Sequence, residues 1–152
     1  MDRGAQEASR HGIARSTEWP KIEREHREKE PTCAVCGSKD KIQVHHVFPF
    51  HYCIALGRPD LELDDRNLIS LCESQPNDHH LLIGHLDSFQ SSNLKVRADV
   101  SNYIHQDETQ IKANTTWQSE VNTRLKPLDK MTDQDKADFV KLMNETYPLM
   151  KK

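Results

Sequence analysis

Apolar positions come in short bursts between charged stretches, and each burst has its own spacing. Residues 1–16 are polar, mixed in charge and without periodicity, which predicts a loose tail. From Thr17 the stretch TEWPKIEREHREKE carries helix-start chemistry, with Thr17 as N-cap and Pro20 in the first turn. Trp19, Ile22 and His26 share one face of that helix, and Pro31 stops it. KIQVHHV alternates through Ile42 and Val44, and NLISLC forms a second apolar run. Two strands are therefore expected to pair antiparallel across residues 48–66, which read as a long loop. Pro76 breaks the chain, Asn77 or Asp78 supplies a cap, and Leu81, Leu82, His85 and Leu86 predict a helix reaching about Gln90. Beyond residue 94 the pattern is polar and helical. Trp117, Val121 and Leu125 recur every four residues up to Pro127, and Thr132 with Asp135 makes a capping box ahead of Phe139, Val140 and Met143. The fold class expected is α+β: strand, strand and helix in the middle, a helix before and a helical extension after. The divisions are a flexible tail at 1–16, a core domain at 17–93 and an extension at 94–152.

Composition adds a constraint. At 35% hydrophobic and 30% charged residues, the 152-residue chain is thinly supplied for a core and calls for a staple: a disulfide, a metal or a partner. No run approaches the roughly 20 apolar residues that span a bilayer. The opening MDRGAQEASRHG lacks the apolar stretch of a secretory signal, so the expected location is cytoplasmic, where paired cysteines bind metal more often than each other. A net charge of −3 lends nothing to a nucleic-acid partner, although charge can be sorted to one face and a bound metal adds positive charge locally. Six of the nine histidines (His45, His46, His51, His79, His80 and His85) crowd into one quarter of the chain, and all four cysteines fall in or just before it. The chemistry is in the middle.

Cys33-x-x-Cys36 places two sulfurs on a tight knuckle, with Gly37 helping the turn, so that both reach one tetrahedral ion. Cys72, at the end of the second strand, is the third candidate. For the fourth, His79 at the start of the next helix is preferred, with Cys53 as competitor. His45 and His46 point to opposite faces of a strand, so one can hold a metal while the other approaches as a base. His80 and His85 are five apart, looser than the three or four that a helix favours, which predicts one firm ligand between them. A closed ion shapes a fold, whereas an ion with open positions can assist hydrolysis. Two sites with two jobs is the economical reading.

Together, CAVCG, VHHVFP, RNLISLC and DHHLLIGH resemble the HNH endonucleases, built on a zinc-stapled ββα-metal (treble-clef-like) finger. The resemblance spans about residues 17 to 93, with TEWPKIEREHREKEPTCAVCG similar to the preamble of phage and mobile-element members and GHLDSFQSSN to a downstream segment of one subset. It implies that His45 and His80 ligate a catalytic Mg²⁺, Mn²⁺ or similar ion with His85 as a further contact, and that His46 is the general base. Asn67 would brace the long loop and orient His46 through a side-chain hydrogen bond. Cys33, Cys36 and Cys72 match structural Zn²⁺ ligands; the family's fourth is normally a cysteine, and His79 stands there instead. The implied activity is hydrolysis of DNA phosphodiesters, by nicking or double-strand cleavage, to 5′-phosphate and 3′-hydroxyl ends. A histidine base needs its tautomer fixed by a partner such as a backbone carbonyl of the 48–66 loop. The rival function is a non-catalytic zinc-finger DNA-binding or adaptor module, which needs neither His46 nor His80. A zinc deaminase would require His-x-Glu with Pro-Cys-x-x-Cys, and a zinc peptidase HExxH; neither motif is present. DNA specificity would come from the extension, a partner protein or a homodimer. Lys21, Arg24, Arg27, Arg58, Arg66, Lys95 and Arg97 are either phosphate contacts or solvated surface.

Overall fold

The computed structural model describes residues 3–75 and 77–149, so the expected breaker Pro76 lies outside the described residues. The fold is α+β, with a two-stranded antiparallel sheet. Strand β1 (Ile42–His46) pairs with β2 (Leu68–Cys72) in a register that sets Ile42 opposite Cys72, His45 opposite Ile69 and His46 opposite Leu68. Every residue of β2 is buried, which fits its unbroken apolar run.

Helix α1 (Arg3–Arg10) replaces the loose tail expected at the start of the chain. Ala8 is its fully buried anchor and packs the helix toward α3 (Phe50–Ala55); one small apolar side chain leaves no readable period. Helix α2 (Trp19–Lys29) has Glu18, not Thr17, at its N-cap, with Pro20 in the first turn as expected. The Glu18 N–H donates instead to Ser16 Oγ at 3.2 Å. Trp19 and His26 are buried on the inner face.

The excursion at 48–66 is not a loop throughout. It holds α3 and two 3₁₀ turns, Pro59–Glu62 and Asp65–Asn67. Phe50, His51, Tyr52 and Cys53 are all buried, and four consecutive buried positions in a six-residue helix leave no amphipathic period to read. After β2 the expected long helix is a single π-helical turn, His80–Gly84, followed by irregular chain.

The C-terminal segment comprises α4 (Val96–Asn102), α5 (Glu108–Lys112), α6 (Thr115–Asn122) and α7 (Asp133–Thr146). The Thr132 and Asp135 capping box opens α7, with Phe139 and Met143 buried. Helix α6 stops before Leu125, which packs from the following chain. One apolar cluster runs from Cys33 to Tyr147 without a break at the expected boundary between residues 93 and 94. Phe139 meets Phe48 and Tyr52 at ring separations of 5.5 and 5.3 Å. The Trp117 indole donates to the Leu82 carbonyl at 2.8 Å, fastening α6 to the π turn.

Arginines expected at phosphate or on the surface join these parts. Arg58 is buried; it bonds Asp60 and donates to Asn144 Oδ1 and the Tyr147 carbonyl. Arg97 donates to the Arg66 and Leu68 carbonyls. Among the described residues, no helix is long and apolar enough to cross a membrane.

Candidate metal centres

Cys33, Cys36, Cys72 and His79 bring one ligand atom each to within 4.8 Å of the others. The knuckle is built locally. Gly37 N–H donates to the Cys33 carbonyl at 2.9 Å, and Gly37 sits at φ 73°, a left-handed conformation that glycine takes without strain. Val35 N–H donates to Cys33 Sγ at 3.4 Å, and Ala34 N–H to the Ser70 carbonyl at 2.9 Å, which seats the knuckle on β2 beside Cys72. Cys36 Sγ and Cys72 Sγ lie 3.8 Å apart, and His79 Nδ1 lies 3.6 Å from Cys33 Sγ and 3.5 Å from Cys72 Sγ. A tetrahedral zinc ion with ordinary bond lengths requires about 3.8 Å between sulfurs and about 3.6 Å between sulfur and nitrogen. The cage fits.

The orientation of the His79 ring agrees. His79 Nε2–H donates to the Gln106 carbonyl at 2.6 Å, which directs the Nδ1 lone pair at the sulfurs. Donation from Cys72 lowers the Cys33 thiol to about 7, and the same contact, with burial, raises Cys72 to about 11. Burial raises Cys36. Cys53 is outside this group: it is fully buried, its thiol donates to the Phe48 carbonyl at 3.5 Å, and burial pushes it far above the ordinary thiol range. The choice between His79 and Cys53 falls to His79.

A second cluster joins His45, His80 and His85, again with ligand atoms within 4.8 Å of one another. Both His80 and His85 belong to it, the set that the resemblance implies, although their five-residue spacing by itself pointed to one firm ligand. Their Nε2 atoms are 3.1 Å apart, near the ~3 Å separation that imidazoles around one ion adopt. The His85 Nδ1–H donates to the Ser91 carbonyl at 2.6 Å, and His80 Nδ1 faces Glu73 Oε2 at 3.5 Å, so both rings turn Nε2 inward. His45 stands edge-on to His80 and His85 at 5.1 and 4.7 Å. Its buried Nε2 has no hydrogen-bond partner among the described residues, an expensive omission unless something else ligates it. Burial, then the charges of His85, His80 and His46, hold the His45 pKa well below 6.5, which keeps the imidazole neutral.

His46 leaves the strand on the other side, between Trp19 at 4.6 Å and Phe50 at 5.7 Å. Its Nε2–H donates to the Glu62 carbonyl at 2.8 Å, a partner within residues 48–66, and this leaves Nδ1 as the basic nitrogen. Both His45 and His46 line one cavity of about 370 Å³, together with His80, His85 and Glu73.

Asn67 braces the loop but does not touch His46. Its Nδ2 donates to the Phe48 and Leu61 carbonyls at 3.0 Å each, and its Oδ1 accepts from Phe48 N–H at 2.8 Å. The influence is one step removed, because Leu61 precedes the residue whose carbonyl holds His46.

No family model matches the chain, and no curated protein or solved structure does either.

Glu62, Gln106 and Ser91 escaped the reading of the sequence because each orients a histidine with its backbone carbonyl, which any residue type supplies. Glu73 had a signal in its place directly after Cys72. His51, grouped with the other histidines by sequence, stacks on His11 at 5.4 Å at the edge of the same cavity.

Proposed function

We propose that the chain is an HNH-type endonuclease, a ββα-metal finger that hydrolyses DNA phosphodiester bonds with a divalent ion. The observation that carries this reading is the convergence of His45, His80 and His85 in one cavity with a histidine whose tautomer is already set. The Cys33, Cys36, Cys72 and His79 cage is closed by four protein ligands and suits a structural zinc ion. The three-imidazole cluster offers fewer protein ligands, and its nitrogen donors suit a transition-metal ion such as Ni²⁺ or Zn²⁺, with Mn²⁺ next and the oxygen-seeking Mg²⁺ least, while leaving room for substrate oxygen. Such an ion, when bound, would neutralise charge developing on the phosphate and the leaving oxygen.

The protein's own part is proton transfer and positioning. His46 Nδ1 accepts the proton of the attacking water while Nε2–H stays on the Glu62 carbonyl. The flanking Trp19 and Phe50 rings fix the imidazole plane. Asn67 keeps the ends of the loop together, so the carbonyl that orients His46 stays in place. His45, neutral at cellular pH, holds the ion without competing for the proton.

The test is nicking of supercoiled plasmid in Mg²⁺, Mn²⁺ or Ni²⁺ by wild type and His46→Ala. General-base loss is expected to slow cleavage about 100- to 10,000-fold, with zinc content unchanged. Retardation of DNA without cleavage in every metal would select the non-catalytic zinc-finger module instead.

A further inference from the structure

We propose that Arg124 is a positioning residue for His85: from just beyond α6 it holds the left-handed turn that follows this imidazole. The role in metal binding rests on the reading that His45, His80 and His85 share one ion; the hold on the turn rests on geometry alone. Directly after His85 the chain passes through Leu86 at φ 50° and Asp87 at φ 67°. Neither is glycine, and a residue with a Cβ meets its own backbone in this region, so two in succession need outside support. The turn folds the chain back on itself. Asp87 N–H donates to the Leu81 carbonyl at 2.9 Å and Ser88 N–H to the His85 carbonyl at 3.1 Å. The Leu86 side chain is buried, and its carbonyl accepts from Arg124 Nε and Nη2 at 3.0 and 2.6 Å.

Two charge-assisted bonds from one planar guanidinium fix the direction of that oxygen. The oxygen belongs to the peptide between Leu86 and Asp87, whose plane turns with the φ of Asp87. An ordinary negative φ there would carry the oxygen off the guanidinium, so the arginine selects the left-handed form. Asp87 also meets Lys112 Nζ at 3.9 Å, but this pair is exposed and contributes little. The same part of the chain grips the segment at two further points. The Trp117 indole of α6 donates to the Leu82 carbonyl at 2.8 Å, inside the π turn. The Ser91 hydroxyl donates to the Leu125 carbonyl at 3.5 Å, and the Ser91 carbonyl takes the His85 Nδ1–H at 2.6 Å. Residues 117–125 therefore hold the chain before His85, directly after it, and at the residue that orients its ring. Arg124 is the member of this set that acts on the strained turn, and it does so through the backbone.

The zinc-loaded full chain is titrated with Ni²⁺ by calorimetry, and exchange of the His85 Nδ1 proton with water is followed by NMR before metal is added. Arg124→Ala is expected to weaken Ni²⁺ binding about 10-fold, the lower end of what a lost outer partner costs a metal site. The His85 proton should exchange faster, and zinc content should stay unchanged. Asp87→Gly added to Arg124→Ala should recover part of both losses, because glycine takes the left-handed conformation without support. A general packing defect would gain nothing from that glycine. Arg124→Met keeps the stem without the donors, so it serves if the alanine variant loses its zinc; the same weakening is expected. Ni²⁺ affinity and proton exchange equal to wild type in a folded variant would overturn the proposal, as would losses that Asp87→Gly leaves untouched. If wild type binds no Ni²⁺ yet Arg124→Ala frees the His85 proton, the positioning role stands and the ion reading falls.

Discussion

His80 and His85 would diverge by about 140° on an α-helix, since each residue advances about 100°. The π turn His80–Gly84 widens the coil so that residues five apart align, and their Nε2 atoms come within 3.1 Å. A spacing that looked loose in the sequence becomes a close pair of ring nitrogens through a local departure from regular helix, and spacing rules for α-helices cannot foresee it. The cysteine cage was legible for the opposite reason: Cys-x-x-Cys fixes its own geometry within four residues. His51 carries a pH-dependent consequence. Burial, reinforced by His11, lowers its pKa to about 4. In the unfolded chain it titrates near 6.5, so on acidification the unfolded state takes the proton first. The contribution of His51 is complete above about pH 6.5, falls away between there and about 4, and is constant below. Urea midpoints of wild type and His51→Gln across this range should show wild type losing up to about 3 kcal/mol relative to the variant; a difference independent of pH would refute the burial argument.

At the scale of elements, the strand pair followed from alternation and from an unbroken apolar run, and its register places His45 and His46 on different sides of β1. The loop between the strands was unreadable because α3 buries four consecutive residues and so shows no period, and because its brace runs to backbone groups. Asn67→Ala should leave the Phe48 N–H and the Leu61 carbonyl without their partner. The expected cost is on the order of 1–3 kcal/mol for each group stranded, seen as a lower Tm and faster proteolysis within residues 48–66. Unchanged proteolysis there would mean the loop is held by other contacts. Gly84 makes a separate test of the π turn. A Cβ at this position would lie 3.1 Å from Leu71 Cδ1 and 3.2 Å from His45 Cε1, tighter than ordinary contact. Gly84→Ala is therefore expected to cost about 1–3 kcal/mol and to weaken metal binding at the three histidines while sparing zinc. Equal Mn²⁺ affinity in wild type and variant would show that His45 does not need this close approach.

The whole molecule is knit more tightly than the pattern of its sequence suggests. A division at residue 94 reads naturally from composition, yet Trp117, Phe139, Met143 and Tyr147 complete the same cluster as Phe48 and Leu82. Contacts between segments so distant in sequence leave no local signature in either one. The long-range arginine bonds are equally hidden, because Arg58 and Arg97 find distant carbonyls, of the Asn144 side chain and of the backbone, rather than a charged partner. Two side-chain clusters that could hold an ion lie on this one scaffold, one of three cysteines and a histidine, the other of three histidines, and the proposed function gives them different jobs. Native mass spectrometry of the zinc-loaded chain after incubation with Mn²⁺ tests that division of labour most directly. One zinc and one manganese per chain are expected for wild type, zinc alone for His80→Ala, and loss of zinc for Cys72→Ser. A His80→Ala protein that still binds manganese stoichiometrically, or a Cys72→Ser protein that keeps its zinc, would contradict it.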